Sequence, residues 1–138
     1  MIADDETAKQ IASLIAEAYV GLSDPVSGIG RLFDNPDMFL AGSGLGELAD
    51  TPEVCLRMAD AVSSFGFRWH HDDVKVWRTG DVAWAFIQGT VRVERDSQVD
   101  EVPYWTTGIF SRSGDRRRWQ YWHGAEPQAE PKVDCQTL

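Results

Sequence analysis

Four runs rich in β-branched and aromatic residues, at positions 67–78, 82–94, 101–112 and 117–126, hold all six tryptophans of the chain. Residues of this kind suit a pleated, half-buried surface. The runs are separated by Thr79-Gly80-Asp81, Arg95-Asp96-Ser97-Gln98 and Ser113-Gly114-Asp115, residue types that reverse a chain. Turns this short can join only antiparallel neighbours. The second half of the molecule is therefore expected to be a meander of four long antiparallel strands, and nothing in the pattern calls for a parallel sheet.

The first half has a different period. Over residues 4–22, Ile11, Leu14, Ile15, Ala18 and Leu22 recur at the three-and-four spacing of an amphipathic helix, and Asp4, Asp5 and Glu6 stand where a helix N-terminus favours anions. Ser23-Asp24-Pro25 ends that helix. Residues 26–33 leave room for a short second helix before Asn35-Pro36, residues 38–40 for a short strand, and the glycines of residues 42–46 for a flexible turn. Thr51 as N-cap and Pro52 at the first helical position open a third helix that runs to about Ser64. Helices first and strands after make an α+β domain, its three N-terminal helices packed on one face of a strongly curved antiparallel sheet.

With 138 residues, 43% of them hydrophobic and 25% charged, the chain suits one globular domain, expected over residues 1–127. From Pro127 the sequence loses periodicity, so residues 128–138 are expected to form a flexible tail. No apolar run reaches the ~18 residues of a membrane span, and the acidic start is unlike a secretion signal. A cytoplasmic domain with no membrane partner is the expectation. The net charge of −9 repels phosphate backbones and argues against a nucleic-acid partner. Cys55 and Cys135 lack metal or redox spacing and read as reduced thiols. Gly42, Gly44 and Gly46 lack the downstream pattern of a dinucleotide site, so neither a metal nor a cofactor is expected.

Four local patterns carry a family resemblance: FLAGSGLGELAD at 39–50, RTGDVAWAF at 78–86, VPYWTTGIFSR at 102–112 and WQYWHGAEP at 119–127. Together with the element order, they resemble the SnoaL-like branch of the nuclear-transport-factor-2-like (NTF2-like) superfamily, the cystatin-like α+β cones. The resemblance implies a cone whose helices close over the sheet to leave a pocket, usually in a homodimer formed through the sheet. It implies members that are isomerases, cyclases or dehydratases of small molecules, and others that bind ligands or assemble. This chain has Ala125 where the family often has serine and Trp105 where many relatives carry arginine, while His123 is retained.

Strict alternation along the last run would put Trp119, Tyr121 and His123 on one face and Gln120 and Trp122 on the other. Aromatic surface then lies on both faces. One reading packs one set under the helices and the other against a second copy; the other reading makes an aromatic-lined pocket for a flat or apolar ligand. His123 is the candidate catalytic residue, because an imidazole among Trp and Tyr can bond a ligand oxygen or move a proton. Trp84, Tyr104, Trp105, Thr107, Tyr121, Trp122 and His71 are the candidate ligand-binding residues. In His70-His71-Asp72-Asp73, alternation lets only His70 act with Asp72, or His71 with Asp73, and the simplest reading is a solvated strand start. Arg116-Arg117-Arg118 reads as a solvated charge run. The functional expectation is a domain that binds a small, partly apolar molecule. The alternatives are a non-catalytic homodimeric assembly or regulatory domain, and an isomerase, cyclase or hydrolase with a histidine base.

Overall fold

A computed structural model of the chain describes residues 1–24 and 33–128. Helix α1 spans Asp5–Ser23, and the Asp4 side chain caps it by accepting from the Thr7 backbone N–H at 3.2 Å. Thr7 Oγ1 donates to the same carboxylate at 2.7 Å. With Arg78 Nη1 at 3.2 Å, these bonds favour the charged form and hold the Asp4 carboxyl down at about 2. Helix α2 spans Pro52–Ser64 with Thr51 as N-cap. Its buried residues Cys55, Ala59 and Ser63 are spaced at four, so a narrow stripe of small side chains faces the sheet, flanked by Val54, Met58 and Val62.

Two helices, rather than three, are present among the described residues; the expected short helix at 26–33 lies, apart from Phe33, outside them. The proposed tail is described only to residue 128, so residues 129–138 and Cys135 also lie outside.

The strands are β1 (Phe39–Ala41), β2 (Leu48–Ala49), β3 (Arg68–Thr79), β4 (Val82–Arg95), β5 (Gln98–Ser113) and β6 (Arg116–Ala125). They form one sheet in the order β2-β1-β6-β5-β4-β3. The meander β3 to β6 is antiparallel, as its turns require. At the β4–β5 turn both central residues, Asp96 and Ser97, have positive φ, the twist that suits a two-residue hairpin. One junction departs from expectation: β1 runs parallel to β6, pairing Phe39 with Tyr121 and Ala41 with His123. A three-residue strand carries no sequence mark of its direction, which is decided by the partner it reaches across the fold. Strand β2, two residues long, is a further element that periodicity could not reveal. At the opposite edge, Ala3 N–H donates to Val76 O and Arg78 N–H to Met1 O, so the first residues cover part of β3.

The core lies between α1, α2 and one face of the sheet, here called the inner face. Ile11, Ile15 and Tyr19 from α1 meet Ala83, Ala85 and Ile87 of β4, Phe110 of β5 and Trp119 of β6. Trp119 is fully buried against Phe110 and Phe33, at ring-centre distances of 4.4 and 5.8 Å.

Candidate functional site

Two one-residue irregularities decide which side chains face inward. On β6 the register passes from Phe110–Trp119 to Ile109–Tyr121, leaving Gln120 as the extra residue. This bulge turns both Trp119 and Trp122 inward and sends Tyr121 and His123 to the outer face, so the expected alternation fails after Trp119. On β3 the register passes from His71–Gly89 to Asp73–Gln88, with Asp72 extra. His71 therefore shares the inner face with Trp69, while Asp73 lies opposite the outer-facing Gln88. The His71–Asp73 pair, one of the two that strict alternation would allow, is not formed. His70 and Asp72 do pair, Nε2 to Oδ1 at 2.9 Å, but both are well exposed, as befits a solvated strand start.

The candidate residues thus divide. Tyr104, Trp122 and His71 are on the inner face; Trp84, Trp105, Thr107, Tyr121 and His123 are on the outer face. His123 is exposed and sits beside Tyr121 at a ring distance of 6.2 Å, away from the inner cavity. Ala125 pairs with Trp105, so the two positions that depart from the family pattern are neighbours across the β5–β6 ladder.

On the inner face a cavity of about 410 Å³ opens between α2, the turn joining β1 to β2, and β3 to β6. Its walls are mainly apolar: Leu22, Leu40, Met58, Val62, Phe67, Val91 and Val102, with the rings of Trp69, Tyr104 and Trp122. Ser43, Glu47, Arg95 and Glu126 also line it. The Trp69 and Tyr104 rings meet edge to face at 4.8 Å. Burial, the largest influence, pushes the Tyr104 phenol up to about 12, against hydrogen bonds from Ser43 and Trp122 that oppose the rise. Gly124 is required here, since a Cβ at that position would overlap the Tyr104 hydroxyl. Trp69 Nε1 is buried and has no hydrogen-bond partner among the described residues.

Tyr19, which the sequence analysis did not single out, links this cavity to a second cleft. Its ring touches Trp69 and Trp122, both at 5.9 Å, and His71 at 5.5 Å. Its hydroxyl shares a 2.9 Å hydrogen bond with the fully buried Thr106 Oγ1. Burial raises its pKa well above that of an ordinary phenol. The second cleft, about 390 Å³ between α1 and β3, is lined by Tyr19, Ser23, Asp24, Trp69 and His71 among others. Ser23 Oγ fixes one wall by accepting from the Trp69 backbone N–H at 2.9 Å. His71 is thus the histidine turned toward the enclosed side of the sheet. The signal that could have found Tyr19 is its place on the apolar stripe of α1, one residue after Ala18.

Among the described residues no group of three or more His, Cys, Asp or Glu side chains is arranged to hold a metal ion, and no helix is long and apolar enough to cross a membrane. The Cys55 thiol is buried, 3.7 Å from Ala49 O, and burial raises its pKa.

No protein-family model and no curated protein matches the chain. Solved structures do. An NTF2-like protein with a cystatin-like fold from Novosphingobium aromaticivorans superposes with a TM-score of 0.77 at 17% identity, over 91% of this chain and 84% of that one. A hexachlorocyclohexane dehydrochlorinase from Novosphingobium barchaimii gives 0.74 at 14% identity, over 89% and 88%. A protein with a cystatin-like fold from Caulobacter vibrioides gives 0.74 at 12% identity, over 90% and 92%. The backbone path that the chain shares with these structures shows its fold, which is the NTF2-like, cystatin-like one.

Proposed function

We propose that the chain binds a small, partly apolar molecule in the cavity between α2 and the sheet, and that the molecule carries a hydrogen-bond acceptor. The observation that carries this reading is Trp69, a residue of the mainly apolar lining: its indole N–H is buried and has no partner among the described residues. A buried donor left unpaired costs about 1–3 kcal/mol, and a ligand oxygen brought to it would recover that cost. Apolar walls supply affinity by area, while Trp69, Tyr104 and Ser43 give the ligand its orientation. Where the bound molecule reaches past Trp69, which lines both the cavity and the β3 cleft, His71 in that cleft is the better-placed base than His123, because it lies on the inner face beside Tyr19. That one structural neighbour is named for a dehydrochlorination of a small molecule is compatible with this reading.

The test is a fluorescence titration with two flat probes of equal size, one bearing a ketone and one a plain hydrocarbon. Trp69→Phe keeps an aromatic wall but removes the N–H. The variant is expected to bind the ketone roughly tenfold more weakly and the hydrocarbon unchanged. Equal binding of both probes to both proteins would reject the assignment.

A second reading concerns the outer face, where Trp105, edge-on to Phe86, is 40% exposed and Phe39, stacked on Tyr121, is 37% exposed, and where Trp77 and Trp84 form a further stacked pair. We propose that this face is buried by a second copy in a homodimer, since aromatic surface of this kind is characteristic of interface centres. It is compatible with the first reading, because the two surfaces lie on opposite sides of the sheet.

A further inference from the structure

At the turn end of the sheet, three inward-facing arginines come from three different strands: Arg78 of β3, Arg112 of β5 and Arg117 of β6. Arg78 has its needs met, since Nη1 lies 3.2 Å from Asp4 Oδ1 and 3.1 Å from Thr7 Oγ1, and Nε donates to Gly80 O at 2.8 Å. Arg112 is exposed and donates to Gly114 O. Arg117 differs from both. It is only 6% exposed, its Nη1 donates to the Asp81 carbonyl at 3.2 Å, and its Nε is buried with no partner among the described residues.

The ion pairs among the described residues are His70–Asp72, Arg78–Asp4 and Arg92–Glu101; Arg117 is in none of them. A guanidinium cannot shed its proton at ordinary pH, so burial leaves it charged and in need of an anion. Beyond the penalty of burial itself, Arg78 and Arg112 nearby add to the positive field at Arg117, which the Asp4 and Asp81 carboxylates offset in part from beyond ion-pair distance. Arg117 also lines an open cleft of about 450 Å³ between α1 and the β5–β6 turn, with Gln10, Ser13 and Arg116. Glu17 and Asp115 line it too; both are exposed, and neither lies within ion-pair distance of Arg117.

We propose that this cleft is a binding site for a small oxyanion, a carboxylate or a phosphate ester, held on the free edge of the Arg117 guanidinium. The Nε edge of a guanidinium is the fork that matches two oxygens of such a group, and Arg116 at the rim adds charge that can draw the anion in. Gln10 and Ser13 supply further donors from α1. The site lies on the far side of α1 from the β3 cleft that holds His71, and it shares no lining residue with the apolar cavity. Its occupant is therefore a separate ligand or the charged end of a larger one.

The experiment is titration of the whole chain with inorganic phosphate and, separately, with acetate, each at matched ionic strength in chloride. It is followed by calorimetry and by the Arg117 Nε–Hε signal in NMR. Phosphate or acetate should shift that signal saturably, and whichever binds more tightly identifies the oxyanion class. Arg117→Met should weaken binding at least about tenfold, and Arg117→Lys less, because it keeps the charge and loses the fork. Glu17→Gln should bind no more weakly than the wild type. Should Arg117→Met fail to fold, the wild-type Nε–Hε signal still decides. A signal that neither anion moves, or equal binding by wild type and Arg117→Met, overturns the site and leaves Arg117 as a packing residue.

Discussion

The two faces of the same four strands are built on opposite plans. On the inner face large strand residues stand beside small ones across the ladder, Phe110 beside Ala83, Trp122 beside Gly108 and Tyr104 beside Gly89, and α1 adds Ile11, Ile15 and Tyr19. On the outer face the strands carry the bulk themselves, Trp77, Trp84, Phe86 and Trp105, half-buried by one another in stacked and edge-on pairs. Helices cover the inner face, and the cavity lies between α2 and the large residues Trp69, Tyr104 and Trp122. Large residues on an uncovered face leave none, so that face is suited to contact and poorly suited to enclosure. Aromatic content alone does not distinguish the two; the size of the neighbours across the ladder does.

The comparison breaks first at Trp119. Fully buried, with its indole N–H donating to Leu14 O at 3.4 Å, Trp119→Ala should lower stability by about 3–5 kcal/mol in urea unfolding. A loss under ~1 kcal/mol would mean that the inner face is not the organising core.

Alkaline titration asks whether the cavity wall is as closed as it looks. The unfolded Tyr104 phenol ionises from pH 10, whereas in the fold burial holds the proton until about 12, so between these values the unfolded chain binds fewer protons. Stability should be fully present below pH 10 and decline from 10 to 12, by no more than about 3 kcal/mol from this residue. Tyr104→Phe should flatten part of that decline; an unchanged slope would place the hydroxyl in water.

The smallest effect belongs to the outer face. Trp84→Ala removes one member of a stacked pair and should cost the monomer about 0.5–1.5 kcal/mol. Its larger consequence should appear in sedimentation, where a wild-type dimer at micromolar concentration becomes a monomer. A wild type that is already monomeric removes the homodimer proposal and leaves the exposed rings unexplained.

How much of this was legible in the sequence follows from the range of the interactions involved. The caps at Asp4 and Thr51, Pro52 at the head of α2 and the three hairpin turns are local, and each stands where its residue types put it. The α+β order and the likeness to NTF2-like cones follow from those elements. The site was only half legible. Tyr104, Trp122 and His71 face inward as pocket residues must. Tyr121 and His123 do not, because Gln120 inserts one residue on β6 and exchanges the faces beyond it, as Asp72 does on β3; Trp84, Trp105 and Thr107 face outward by the plain alternation of β4 and β5, whose inward set is decided by the partners across the fold. Neither Gln120 nor Asp72 carries a residue type that announces a bulge. Arg117, read from its neighbours as part of a solvated run, is buried because alternation on β6 turns it inward between two exposed or half-buried arginines.

The parallel pairing of β1 with β6 also bears on the order in which the molecule can assemble. Each hairpin of the meander can close as soon as its own turn is made, over loops of two residues. Phe39–Ala41 has no such option: its partner, Tyr121 to His123, emerges about 80 residues later, so this edge pays the largest loop-closure cost in the sheet. On a ribosome the wall of the cavity formed by Leu40 would therefore stay open until nearly the whole domain had been synthesised, and a chain stalled before residue 119 would hold a sheet without its pocket.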